Sequence, residues 1–196
     1  MDITTNQIKD LRDKTGVSVM QCKKALEEAG GDTEKALMIL QKNSKATALK
    51  KLDRTLGSGV VQAYIHSTGT VGSMVELLCE TDFVAKNEDF KVLAYDVALH
   101  IAAADPQYLS REHVPAEDVQ RATEMFQADI EGKPEDLKAK ILEGKLSAYF
   151  AERSLLDQPF VKNPDLTIRN LVEGAVQKFG EKTEIGRFAR FSVLQK

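Results

Sequence analysis

The sequence predicts an α+β fold: an N-terminal three-helix bundle, then a core in which a small antiparallel sheet packs with helices. Three observations predict it. The first 43 residues carry short, capped runs of helical period, and residues 60–79 hold two β-rich runs around a turn. Several helical runs then precede a late alternating segment, so strands stand early and late with helices between.

In the bundle, Ile8 and Leu11 give the first helix its apolar face, and Thr15-Gly16 stops it. Ser18-x-x-Gln21 reads as a capping box for the second helix, whose Cys22, Ala25, Leu26 and Ala29 share one face at spacings of three, four and seven. Gly30-Gly31 ends it. Asp32 caps a third helix that buries Ala36, Leu37 and Leu40. Lys42, Lys45, Lys50, Lys51 and Arg54 stand against the single acid Asp53, which marks a basic helical linker ending at Gly57-Ser58-Gly59. The boundary predicted there separates residues 1–55, bundle plus linker, from a core of 56–196. In the core, Val60 to His66 and Val71 to Cys79 form a hairpin around Ser67-Thr68-Gly69-Thr70. Phe90, Leu93, Ala94, Val97, Ala98 and Ile101 follow helical spacing without a gap, until Asp105-Pro106 ends the helix. Further helices are expected over about 116–131, from Pro134 to about 153, and over about 165–179, where Ile168, Leu171, Val172, Ala175, Val176 and Phe179 share a face and Gly180 is the cap. Ile185, Arg187, Ala189, Phe191 and Val193, alternating with Phe188, Arg190 and Leu194, predict a closing strand.

Composition narrows function. At 42% hydrophobic and 29% charged residues the chain has ordinary globular usage, which argues against disorder. No apolar run approaches the ~18 residues of a membrane span. The charged N-terminus lacks the apolar stretch of a secretory signal, so the cytoplasm is the expected compartment. Cys22 and Cys79 cannot build a disulfide framework. A net charge of −3 disfavours duplex nucleic acid as a partner.

Catalytic and cofactor motifs are sparse. His66, His100 and His113 are scattered, so no metal or cofactor site is predicted; His100 reads as a residue at a helix-face boundary. Gly57-Ser58-Gly59 precedes a strand, whereas a phosphate loop follows a strand and opens a helix. Glu76, Glu80 and Asp82 could serve as paired acids, but solvated acids at a strand end are the commoner case. Basic residues 42–54 could meet phosphate or form a solvated helix face. The unusual feature is Thr81-Asp82-Phe83-Val84, between hairpin and helix. Phe83 on a turn would anchor in a partner's pocket. It also precedes Phe90 by seven residues, so a helix extended backward would place it in the core, and pattern alone leans that way.

Four blocks in order carry a resemblance. Thr15-Gly16-Val17-Ser18-Val19-Met20-Gln21-Cys22-Lys23-Lys24-Ala25-Leu26-Glu27-Glu28-Ala29-Gly30-Gly31-Asp32 resembles the opening signature of the bacterial translation elongation factor Ts family. Val75-Glu76-Leu77-Leu78-Cys79-Glu80-Thr81-Asp82-Phe83-Val84-Ala85-Lys86-Asn87 resembles its second signature. Gln158-Pro159-Phe160-Val161-Lys162 and Arg187-Phe188-Ala189-Arg190-Phe191 are similar to its later landmarks. Departures are Gln21 in place of an acid, Val17-Ser18-Val19 in place of a run of small residue, glycine and methionine, and Leu56 where an acid usually precedes the glycine.

The resemblance implies a guanine-nucleotide exchange factor, not an enzyme, that binds elongation factor Tu·GDP and promotes GDP release by dislocating Mg²⁺ so that GTP can rebind. It implies that Thr81, Asp82, Phe83 and Val84 act at the Mg²⁺ site of the GTPase, with Phe83 as a wedge. It implies a ubiquitin-associated-like bundle docking through Leu11, Thr15, Gly16 and Met20. It also implies a short form that pairs through its core (residues 56–196) into a homodimer and a 2:2 complex, with no direct nucleic-acid or membrane partner. No cysteine lies in the last strand, so no disulfide is expected between subunits there. Three rivals are an adaptor with a ubiquitin-associated-like module, an enzyme using the acids near residue 80, and RNA binding through 42–54. The adaptor accounts for residues 1–43 but not for the 81–84 corner.

Overall fold

A computed structural model describes residues 3–132 and 134–193. In order, the elements are α1 (Thr5–Thr15), α2 (Val19–Glu28), α3 (Thr33–Leu49), β1 (Ser58–Ile65), β2 (Val71–Cys79), α4 (Asp82–Ala85), α5 (Glu88–Ala104), α6 (Ala116–Ile130), α7 (Glu135–Ala151), β3 (Pro159–Phe160), β4 (Asn163–Thr167), α8 (Ile168–Phe179) and β5 (Thr183–Ser192). The fold is α+β, with N-terminal helices followed by a helix–sheet core. The chain divides into two compact units, one of residues 1–103 with 159–196 and one of residues 104–158.

In the first unit, α1, α2 and α3 enclose Leu11, Val17, Cys22, Ala25, Leu26, Ala36 and Leu40. Their ends follow local chemistry. Thr4 and Gln7 form a reciprocal capping box at α1, and Gly16 (φ 67°) takes the left-handed turn that a side chain would strain. Asp32 accepts from the Glu34 and Lys35 amides at 3.0 and 3.1 Å. At α2 only the serine half of the predicted box forms: Ser18 Oγ accepts from Gln21 N, but Gln21 Oε1 takes the Ser18 hydroxyl at 3.0 Å instead of its amide. The third helix and much of the basic linker are one element, since α3 runs unbroken to Leu49. It packs on α8, where Ser44 donates to Gln177.

The sheet has order β1-β2-β5, antiparallel throughout. Ser73, Val75, Leu77 and Cys79 are buried on the inner face of β2. Ser73 Oγ donates to Ala98 O of α5 at 2.5 Å, and Tyr64 of β1 meets Tyr95 of α5 edge-on at 5.7 Å. Val61, Ile65, Met74, Phe191 and Val193 on the outer face are exposed. In β5 the expected alternation breaks at Gly186. Leu77 pairs with Ile185 but Glu76 with Arg187, so one residue is extra and Ile185 is buried while Arg187 faces out. Leu194 lies outside the described residues.

Two further expectations are corrected. His100 is fully buried, not at a boundary, because α5 is covered on a wide arc from Phe90 to Ala102; its Nδ1 accepts from Val161 N at 3.3 Å. The helix expected from 165 begins at Ile168, after the short hairpin β3–β4. Thr167 and Asn170 cap it reciprocally, a Thr-x-x-Asn start.

The second unit pairs α6 with α7. Phe126, Tyr149 and Phe150 meet edge-on at 5.7 and 5.1 Å, and the guanidinium groups of Arg153 and Arg111 cover Tyr149 and Phe150. Helix α6 matches its predicted range within a residue. Pro134 caps α7 instead of forming its first turn.

Candidate functional site

The corner after β2 is built from Cys79 to Asn87. The strand ladder ends at Cys79, paired with Thr183. Thr81 is extended (φ −127°, ψ 156°), and its hydroxyl faces Val84 N at 3.5 Å as an N-cap. One helical turn follows, closed by Ala85 N to Thr81 O at 3.2 Å and Lys86 N to Asp82 O at 3.0 Å. Asn87 then accepts from Asp89 N at 2.9 Å, and α5 starts afresh at Glu88.

That break determines where Phe83 lies. Val84 and Ala85 are buried, so Asp82 and Phe83 occupy the outer side of the turn. Phe83 is 80% exposed, whereas Phe90 is fully buried and meets Phe179 edge-on at 5.7 Å. The core alternative for Phe83 therefore does not describe the structure. Beside the ring, Asp82 pairs with Lys86 at 2.6 Å, a hydrogen bond that holds its carboxyl below the ordinary range.

Groups distant in sequence hold the corner. Glu181 Oε2 accepts from the amides of Glu80 and Thr81 at 3.1 and 3.0 Å, and its Oε1 accepts from the Thr81 hydroxyl at 2.6 Å. Glu80 accepts from Lys182 N at 2.5 Å and from Arg54 Nη1 at 3.1 Å. Those bonds, the backbone N–H first, hold the Glu80 carboxyl below its ordinary range. The end of the basic linker is tied to the same place: Lys51 Nζ donates to Gly180 O and Lys182 Nζ to Leu52 O, both at 2.7 Å. Lys42, Lys45 and Lys50 stay exposed. None of these long-range ties leaves a periodic signal in sequence.

The second set of residues predicted to make contacts lies at the α1–α2 turn. Thr15 is half-buried and donates to Leu11 O at 2.7 Å; Gly16 is exposed; Met20 is 76% exposed, next to Val19 at 50%. Leu11 and Val84 differ from the expectation of contact residues. Leu11 has no exposed surface and Val84 only 5%, because each side chain points into its own core. Neither offers area to a partner, and each supports exposed neighbours.

Comparison with known proteins shows the family of the chain. The family model described as Elongation factor TS matches residues 3–195. The chain belongs to the elongation factor Ts family. Among relatives, the elongation factor Ts of Carboxydothermus hydrogenoformans is 48% identical over 193 residues, covering 97% of this chain and 89% of that protein. That of Thermodesulfovibrio yellowstonii is 48% identical over 196 residues, covering 100% and 98%. The Thermotoga petrophila factor is 44% identical over 193 residues, covering 98% and 97%. Family membership makes the chain a translation elongation factor.

Acid–base chemistry gains no support at the corner. Glu80 and Asp82 are both shifted down, each beside a cation, whereas an acid–base pair needs its two pKa values pushed apart. Among the described residues no three His, Cys, Asp or Glu side chains gather as a metal site, and no helix is long and apolar enough to cross a membrane.

Proposed function

We propose that the chain is a guanine-nucleotide exchange factor for elongation factor Tu, binding the GDP form and releasing GDP by dislodging Mg²⁺ so that GTP can rebind. The observation that carries this reading is Phe83, 80% exposed on a turn whose next two side chains are buried. A ring carried on a backbone turn held this way can enter a pocket without the turn first being ordered, so little binding energy is lost to ordering the backbone. Asp82 brings a carboxylate beside it, toward groups that hold the metal and the β-phosphate. The Mg²⁺ is the partner's, so the chain itself needs no cofactor. Linkage supplies the rest: a factor that binds the distorted GTPase more tightly than the GDP-bound one must lower GDP affinity by the same factor.

Within this reading, residues 1–55 act as a ubiquitin-associated-like docking module and 56–196 as the exchange and pairing domain, in the cytoplasm. Gly16 and Met20 supply the module's surface, Thr15 its edge, and Leu11 its support. Thr81, Asp82 and Phe83 supply the wedge, with Val84 beneath. The outer face of the sheet, with Val61, Ile65, Met74, Phe191 and Val193 exposed, is the surface through which two chains pair to give a 2:2 complex.

Stopped-flow release of labelled GDP from elongation factor Tu tests the exchange reading. Phe83→Ala should release GDP far more slowly than the unaltered protein, and an unchanged rate would overturn the wedge. Light scattering tests the pairing: a dimer at micromolar concentration is expected, converted to monomer by Phe191→Asp. A monomeric unaltered protein removes the 2:2 assembly.

A further inference from the structure

We propose that Glu181 is a positioning residue for exchange, acting on the partner through Thr81 by fixing the direction in which Phe83 projects. The inference rests on the exchange reading above and adds a residue to it. Helix α4 is a single turn of four residues. An isolated turn is not stable, because one or two hydrogen bonds do not offset the entropy of fixing its backbone. Its own cap is weak, since Thr81 Oγ1 and Val84 N are 3.5 Å apart. Buried Val84 and Ala85 anchor the far side of the turn, and the Cys79 thiol donates to Thr81 O at 3.2 Å. The entry to the turn, however, is held by the Glu181 carboxylate, which takes the amides of Glu80 and Thr81 and the Thr81 hydroxyl, at 3.1, 3.0 and 2.6 Å. These are charge-assisted bonds, the stronger kind.

The carboxylate sits where it can do this because α8 ends in the left-handed Gly180 and β5 begins at Thr183, pairing with Cys79. Residue 181 therefore lies beside the exit of β2. Lys182 N completes the clasp by donating to Glu80 at 2.5 Å. Because Thr81 is exposed and Glu80 only half-buried, water can replace the lost bonds if Glu181 is removed. The fold then survives, but the ring no longer points one way.

The experiment measures GDP release from elongation factor Tu at saturating factor, with thermal melting of each variant in parallel. Misplacing a reacting group by about 1 Å can cost roughly a hundredfold, and partial loosening here should slow release about tenfold in Glu181→Ala. The melting midpoint should move by no more than about 3 °C. Glu181→Gln should stay within about twofold of the unaltered rate, because one amide oxygen can accept both N–H groups while its NH₂ donates to Thr81 Oγ1. In a Phe83→Ala background, Glu181→Ala should slow release no further, since residues that act as one unit are not additive. An unaltered rate in Glu181→Ala, a Gln variant as slow as Ala, or an equal slowing on top of Phe83→Ala would each overturn the inference while leaving the wedge intact. A Phe83→Ala variant as fast as the unaltered protein would instead overturn the wedge, and an unaltered protein that does not accelerate GDP release would overturn the exchange reading; either takes this inference with it. Should Glu181→Ala fail to fold, Glu181→Asp, whose carboxylate is one methylene short of the three donors, takes its place with the same expected slowing.

Discussion

At the Met20 corner, the groups that shape the turn lie close in sequence: the left-handed Gly16, the Ser18 cap and the Thr15 hydroxyl on Leu11 O, over a plug of Leu11, Val17 and Cys22. At the Phe83 corner, the hold comes from 100 residues further along the chain, through Glu181 on Thr81. The first corner is as stable as its small core, and the second is as well aimed as a polar clasp. Perturbing the core should therefore show in folding, and perturbing the clasp or the ring should show in function.

The largest expected effect sharpens that contrast. Leu11→Ala should destabilise the bundle by about 2–5 kcal/mol, the range for a fully buried leucine, read by chemical denaturation. A loss of partner affinity with stability intact would break the comparison by making Leu11 a contact residue. Next, Phe83→Ala should weaken the complex with elongation factor Tu by about 2 kcal/mol or more, the scale of a hot spot, with the melting curve in place. Loss of the folded state instead would mean that the ring supports the domain. Met20→Asp should weaken the same complex by roughly 1 kcal/mol, again without loss of stability, and unchanged affinity would remove Met20 from the docking surface. The smallest effect is with pH. Glu80 has a carboxyl held below its ordinary value by Lys182 N and then Arg54, so its stabilisation is present above the unfolded value of about 4.3 and is lost as pH falls through the folded one. Melting curves of the unaltered protein and Glu80→Gln should differ near neutrality and converge in acid. A gap that widened on acidification would reverse the sign.

Legibility in sequence followed the range of the forces. Helix α5 and the β1–β2 hairpin were readable because long periodic runs reflect which face each residue buries, and the observed strands match Val60–His66 and Val71–Cys79 within two residues. The hairpin β3–β4 was not, since a strand of Pro159–Phe160 is too short to show a period. Phe83 was ambiguous for a specific reason. Its spacing from Phe90 fits a continuous helix, but the helix breaks at Lys86–Asn87, where the Asn87 side chain accepts from the Asp89 amide as the next helix begins. Exposure of Met20 could be inferred from its place beside a helix start, whereas burial of Leu11 follows from the apolar face it shares with Ile8. Glu181 had no readable signal: an acid after a glycine cap is commonplace, and its partners are assembled only by the pairing of β2 with β5.

The extra residue at Gly186 reaches well beyond its own position. Were it to take a regular place opposite Glu76, every later side chain of β5 would change sides: Phe191 and Val193 would turn toward the helices, and Phe188 and Arg190 toward water. Deleting Gly186 outright would keep each of them where it is and straighten the edge. The apolar share that the last strand brings to the outer side of the sheet is thus a matter of parity, controlled by a position that contributes no side chain to it.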